Sequence, residues 1–214
     1  MSTPPSSEAR FPTSPGPVGT LAGREIGRLQ HGYLDDRPDA VAVLARLRRA
    51  AGKDAASVPD LWGLIDLDPL FNVASLRHDA AAGAVDTALA LWALHQQSRP
   101  TGMHRPGGDE LGSAVRRLMR GTTVDEPVRK RFVSAGRAPT LGVLATRLRD
   151  LTVLLRDRGF ALDYALLADQ LYHWQQPGGP ENVRRSWGRS FHAAYRTAPT
   201  DPAAAAAIDT KDAS

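Results

Sequence analysis

Apolar side chains recur along this chain with the helical period, and almost nowhere with the two-residue period of a strand. The clearest case runs from Thr140 to Arg158. Leucines stand at 141, 144, 148, 151 and 155, and Gly159 supplies a stop. The same reading predicts a first helix over Leu21 to Leu34. A second starts near Asp39, with Val41, Leu44 and Leu47 on its buried face. Val58 to Leu67, containing Trp62, reads as one short helix or turn between Pro and Asp residues. A long Ala-rich helix follows over Val73 to Ser98, with Val85, Leu89 and Trp92 forming its stripe. Another helix reaches Arg120, where Gly121 ends it. Thr123 with Glu126 forms a capping box for the next, and Pro127 is tolerated in that first turn. Asp163 caps a helix that turns Leu167, Leu171 and Trp174 inward. Gln176 to Pro180 is a turn, and the last helix spaces Val183, Trp187 and Phe191 four apart.

The fold class is therefore all-α. The breaker-rich stretch from Arg99 to Glu110 divides it into two packed helical lobes, an N-terminal one over 21–105 and a C-terminal one over 106–196. The Pro/Ser-rich segment 1–20 and the Ala-rich tail 197–214 lack the apolar content to offset the entropy of ordering, so both are expected to be disordered. The first of them has no apolar centre of a signal peptide. No apolar stretch approaches the roughly 20 residues that cross a bilayer. A soluble, cytoplasmic chain without membrane contact is expected.

Charge changes this picture locally rather than globally. The formal net charge is only +4, yet the 27 basic side chains are nearly all arginine, lysine standing only at 53, 130 and 211. From Arg116 to Arg137 the basic residues are opposed by Asp125 and Glu126 alone. From Arg184 to Arg196 no acid interrupts the arginines. Arg46, Arg49 and Lys53 share one face if their helix extends that far, although Gly52 favours fraying. Cationic ridges on a helical body suit a phosphate backbone. The plain alternative is a set of solvated helix faces in an arginine-rich protein.

Catalytic chemistry is sparse. The absence of cysteine excludes disulfides, thiolate catalysis and Cys-based zinc sites. There is no phosphate-binding loop of the GxxxxGK[ST] type, no HExxH and no GxSxG. His31, His95, His173 and His192 lie in helices and read as polar or partly buried positions. His78-Asp79, with His31 before it and Asp163 after it, follows the order used by helical metal-dependent phosphohydrolases of the HD type. Adjacent helical residues diverge by about 100°, so that chemistry needs a special geometry. The pair Asp66 and Asp68 reads as a helix-end feature. Trp62, Trp92, Trp174 and Trp187 occupy apolar-face positions and are expected to pack in the core. No cofactor and no metal site are expected.

An ordered series of segments carries a family resemblance. AVAVLARLRRAAGK is followed by VPDLWGLIDL, ALALWALHQQSR, LGSAVRRLMRGTTVDEPVRKRF and LDYALLADQLYHWQQPGGPENVRRSWGRSF. From about Arg24 to Arg196 the chain resembles the CasB family, the small subunit of the type I-E CRISPR surveillance complex, Cascade. The resemblance implies two packed helical halves and no catalysis. It implies partners too: other Cascade subunits, a second copy of the chain, the heteroduplex of CRISPR RNA and target DNA, and the displaced DNA strand. The implied role is R-loop stabilisation during guided antiviral defence. Phosphate contact carries over onto Arg46, Arg49, Arg116, Arg117, Arg120, Arg129, Lys130, Arg131, Arg185 and Arg189. Two other readings stay open. One is a helical transcription regulator, with VRRLMRGTTVDEPVRKRF as its helix-turn-helix. The other is the HD-type phosphohydrolase.

Overall fold

The computed structural model describes residues 14–53, 58–119 and 125–197. Among them the regular structure is helical, apart from one isolated parallel bridge between His104 and Leu162. The helices are α1 (Pro17–Leu34), α2 (Pro38–Ala50), the short α3 (Asp68–Phe71), α4 (His78–Gln96), α5 (Leu111–Leu118), α6 (Glu126–Gly136), α7 (Leu141–Arg158), α8 (Tyr164–Trp174) and α9 (Gly179–Thr197). None is long and apolar enough to cross a membrane among the described residues.

The organising element is α4. Ala81, Ala84, Val85, Ala88, Leu89, Leu91 and Trp92 form one buried face, and from Thr87 to Gln96 every residue is buried, so the second half of the helix is enclosed on all sides. The alanines keep it thin, so α1, α2, α7 and α8 pack against it together. Helix α1 also lies close on α8. A Cβ on Gly19 would stand 2.4 Å from the Ala165 carbonyl oxygen, so only glycine permits this approach. The other strong pairing is α5 on α9. There Trp187 stacks on Trp174 of α8, and its indole N–H donates to Gln170 at 2.8 Å.

Several boundaries differ from those read in the sequence. Helix α1 starts at Pro17, not Leu21. Its free N-terminal amides are satisfied from a distance, because the Asp169 carboxylate accepts from Gly16 N and Gly19 N. Helix α4 starts at His78, not Val73. Tight turns from Val73 N to Leu70 O and from Leu76 N to Val73 O precede it. Helix α9 begins inside the expected 176–180 turn. Val41 faces solvent, and Ala40 and Ala50 join Leu44 and Leu47 on the buried face of α2. The Thr123 capping box lies outside the described residues; the cap of α6 is Asp125, which accepts from Val128 N at 3.0 Å. The stop at Gly159 and the cap Asp163 stand where the sequence placed them, while Thr140, read there as the first residue of the helix, is the N-cap of α7.

The 97–110 connection is stitched down by side chains from several helices. Gln96 accepts from Met103 N and donates to the Arg99 and Thr101 carbonyls. Gln30 of α1 accepts from His104 N and from the Trp92 indole. Asp163 accepts from Gly107 N at 2.8 Å while capping α8. Core residues before and after this connection form one continuous cluster.

Two buried titratable groups set opposite pH dependences. His95, bonded to the Tyr164 hydroxyl at 2.9 Å, is pushed down to about 3 by burial, helped by the charges of Arg156 and Arg99. It favours folding fully above its unfolded pKa near 6.5, and that contribution is lost as pH falls. Asp86 on α4 is pushed up to about 6 by burial. Its ionised form disfavours folding above that pH, and the penalty fades as pH falls from about 6 towards the ordinary 3.8. Asp86→Asn is therefore expected to stabilise the protein at pH 8 by on the order of 1 kcal/mol or more. The advantage should shrink by pH 4. Urea melts of both proteins at the two pH values check this.

Candidate nucleic-acid interface

The ten cationic positions singled out in the sequence separate into distinct environments. Arg46 and Arg49 are exposed near the C-terminal end of α2. Helix α2 ends at Ala50, so Lys53 lies beyond it rather than on a continued helical face. Burial of Ala50 and Ala51 and a positive φ at Gly52 turn the chain there.

This end of α2 meets α7. Thr146 Oγ1 donates to the Gly52 carbonyl at 2.8 Å, and the Arg149 side chain packs on Gly52. Exposed Arg149 therefore joins the basic end of α2. The sequence reading missed it. Its only local signal was a place off the leucine stripe of α7, and which helix would flank that place is decided by packing.

Arg116 turns inward, against expectation. It is 2% exposed, and its guanidinium donates to the Met119 carbonyl at 3.2 Å just past the end of α5. A cation there interacts favourably with the last carbonyls of a helix. Arg117 is exposed but engaged: it pairs with Asp109 and lies over the Phe160 ring, 4.4 Å from its centre. Arg120 lies outside the described residues.

On α6, Arg129 pairs with Glu126 at 3.4 Å across one exposed turn, a weak contact. Arg131 donates to the Pro127 carbonyl of its own helix. Lys130 is exposed and has no ion pair among the described residues. On α9, Arg185 pairs with Glu181 at 3.2 Å and with Asn182. Arg189 is exposed and its charge acts on Glu110, whose carboxyl is nonetheless raised by burial.

Neighbouring arginines serve the fold. Arg147 donates to Ser134 O, and Arg184 donates to Gly136 O, so both satisfy carbonyls in the last turn of α6. Arg147 thereby ties α6 to the part of α7 whose other side meets α2. The clusters on α2 and α6 thus flank the N-terminal half of α7.

The histidines are dispersed. His31 lies 3.2 Å from Asp35 on the solvent side of α1, and Asp163 is occupied as a helix cap. The His78 ring rests 5.1 Å from that of Phe71. No group of three His, Cys, Asp or Glu side chains capable of holding a metal occurs among the described residues. Trp92, Trp174 and Trp187 are buried, but Trp62 is 71% exposed, contrary to its expected core position. It follows a short 3-10 turn, Pro59–Leu61; Leu61 at the end of that turn and Ile65 beyond it supply the inward anchors instead.

Comparison with known proteins gives a consistent answer. The sequence model of a family described as CRISPR-associated protein Cse2 matches residues 43–192. The crystal structure of CasB from Thermobifida fusca is 47% identical in sequence, covers 84% of this chain and 99% of its own, and superposes with a TM-score of 0.76. CasB from Thermus thermophilus is 23% identical, covers 82% and 97%, and has a TM-score of 0.61. A chain of a CRISPR RNA-guided surveillance complex shares the fold at 19% identity and the same TM-score, covering 84% and 96%. No curated protein matches the sequence.

The two kinds of arginine should respond differently to mutation. Arg116→Ala is expected to destabilise the fold by about 1–3 kcal/mol, since it empties a packed site and strips a buried carbonyl of its donor. Lys130→Ala and Arg131→Ala should stay within about 0.5 kcal/mol of the parent. Chemical denaturation of the three variants checks the contrast.

Proposed function

Because the chain belongs to the CRISPR-associated Cse2 family, the family of CasB, we propose that it is a non-catalytic, nucleic-acid-binding subunit of a type I-E Cascade complex. In this reading it acts in the cytoplasm beside a second copy of itself and the other subunits. It steadies the R-loop by holding the backbone of the target strand or the displaced strand. The observation that carries the reading is the exposed cationic set on α2, α6 and α9, above all Arg46, Lys130 and Arg131.

The physics of an R-loop makes such contacts sufficient. The heteroduplex formed is about as stable as the DNA duplex it replaces, so the exchange is nearly balanced. A few phosphate contacts then tip it. They carry no sequence information themselves, as suits a subunit in a complex whose sequence reading is done by base pairing. The non-enzymatic part of the reading rests on the separate employment of the histidines and carboxylates: His31 pairs on a surface, His78 packs on Phe71, and Asp163 caps α8. The regulator reading is disfavoured by Asp125 and Glu126, which put two carboxylates at the start of α6 where a recognition helix would approach phosphates.

Two outcomes are expected. The isolated full chain should bind oligonucleotides weakly and without sequence preference, with affinity falling steeply as salt rises because phosphate neutralisation releases counterions. Strong selectivity, or insensitivity to salt, would count against the proposal. In the assembled complex, replacing Arg129, Lys130 and Arg131 together by Gln should shorten R-loop lifetime more than tenfold, at roughly 1 kcal/mol per charge-assisted contact. Guide-RNA loading should be unchanged. Equal lifetimes with normal incorporation of the variant would remove the cationic-clamp mechanism.

A further inference from the structure

A second cationic feature lies away from those ridges, where the end of α4 meets the end of α7. Gln97, Ser98, Arg99 and Arg156 line a polar cleft of about 240 Å³. Two arginines from separate elements therefore line one small space. Arg99 fits because residue 159 is glycine, at φ +67°: a Cβ there would stand 2.5 Å from Arg99 Nη2. The backbone of Arg99 is held on both sides, its N–H by the Gln96 carbonyl at 3.0 Å and its carbonyl by Gln96 Nε2 at 3.2 Å. Ser98 adopts a left-handed φ of +59°, and its N–H is held by the Tyr33 hydroxyl at 3.2 Å.

This preorganised site has donors to spare. Arg99 Nε is buried and has no hydrogen-bond acceptor among the described residues. An unmet guanidinium N–H out of water is costly, so any acceptor brought to this side chain is favoured. Asp157 pairs with Arg156 at 3.4 Å from an exposed position and competes weakly. Among the described residues no carboxylate lines the cleft itself. The charges of both arginines are felt by His95, helping to keep it neutral.

We propose that this cleft seats one phosphodiester group of a nucleic-acid strand. Planar guanidinium forks match a tetrahedral oxyanion. Among the described residues no aromatic side chain lines the cleft, so it offers a base nothing to stack on, and the contact is blind to sequence. The proposal rests on the nucleic-acid reading above and adds a discrete site to it. Free inorganic phosphate has the same chemistry, so the two sources must be separated by experiment.

The full chain, labelled for NMR, is titrated first with inorganic phosphate and then with a short oligothymidylate. Phosphate should shift the Ser98 and Arg99 amides and the Nε–H signals of Arg99 and Arg156. Arg156→Gln should abolish these shifts. So should Ser98→Asp, which sets a negative charge in the cleft at an exposed position and keeps a residue type that tolerates the left-handed region. Both variants should bind the oligonucleotide roughly fivefold to tenfold more weakly, with a salt slope shallower by about 0.7, the value for one single-strand phosphate contact. Thermal melts identify any variant that fails to fold, and Ser98→Asp carries the test if Arg156→Gln does so.

The absence of phosphate shifts at these residues overturns the proposal. Phosphate shifts without any change in oligonucleotide affinity or slope also overturn it, leaving a free-phosphate site only. If both variants bind the oligonucleotide normally while the triple variant of Arg129, Lys130 and Arg131 does not, the seat is wrong and the broader reading stands. If the parent chain binds no oligonucleotide under any salt condition, the broader reading fails with it.

Discussion

A helix that is apolar all round must be surrounded, and α4 is such a helix. From Thr87 to Gln96 none of its faces ends at water, and α1, α2, α7 and α8 close over it. The orientation of those four helices follows from that enclosure. The surrounding helices spend one stripe on α4 and turn the opposite stripe outward. Arginines on those outer stripes become surface charge without any further design.

Enclosure also explains the polar residues that remain inside. The 97–110 connection crosses the molecule where α4 ends, and its backbone cannot be left without partners. Gln30, Gln96 and Asp163 supply them, each from a different helix. His95 and Tyr164 form a similar buried pair between α4 and α8. Asp169 does the same for the free amides at the start of α1. These contacts fix angles between helices that apolar packing alone would leave loose.

Arginine plays two roles here, and helix ends separate them. A helix C-terminus exposes unpaired carbonyls and a partial negative charge, and a nearby guanidinium satisfies both. Arg116, Arg147 and Arg184 are used in this way at the ends of α5 and α6. Arg46, Lys130 and Arg131 lie on outward helix surfaces. Charge density along the sequence cannot distinguish these groups, since Arg116 and Arg117 are neighbours with opposite fates.

Helical period, capping chemistry and breaker residues are local properties, and they were legible in the sequence. The leucine stripe of α7, the cap at Asp163, the stop at Gly159 and the all-α class all follow from residues within a turn or two of each other. The ordered series of segments was sufficient for the family resemblance as well. The tertiary structure alone decided which polar groups from distant segments meet. It started α1 early through Asp169, 150 residues from Gly19. It buried Arg116, exposed Trp62, set Arg149 beside the end of α2, and brought Arg99 and Arg156 into one cleft. The reason is that period fixes the direction of a side chain relative to its own helix axis. Its neighbours depend on how the helices cross, and that is settled by the packing of the whole core.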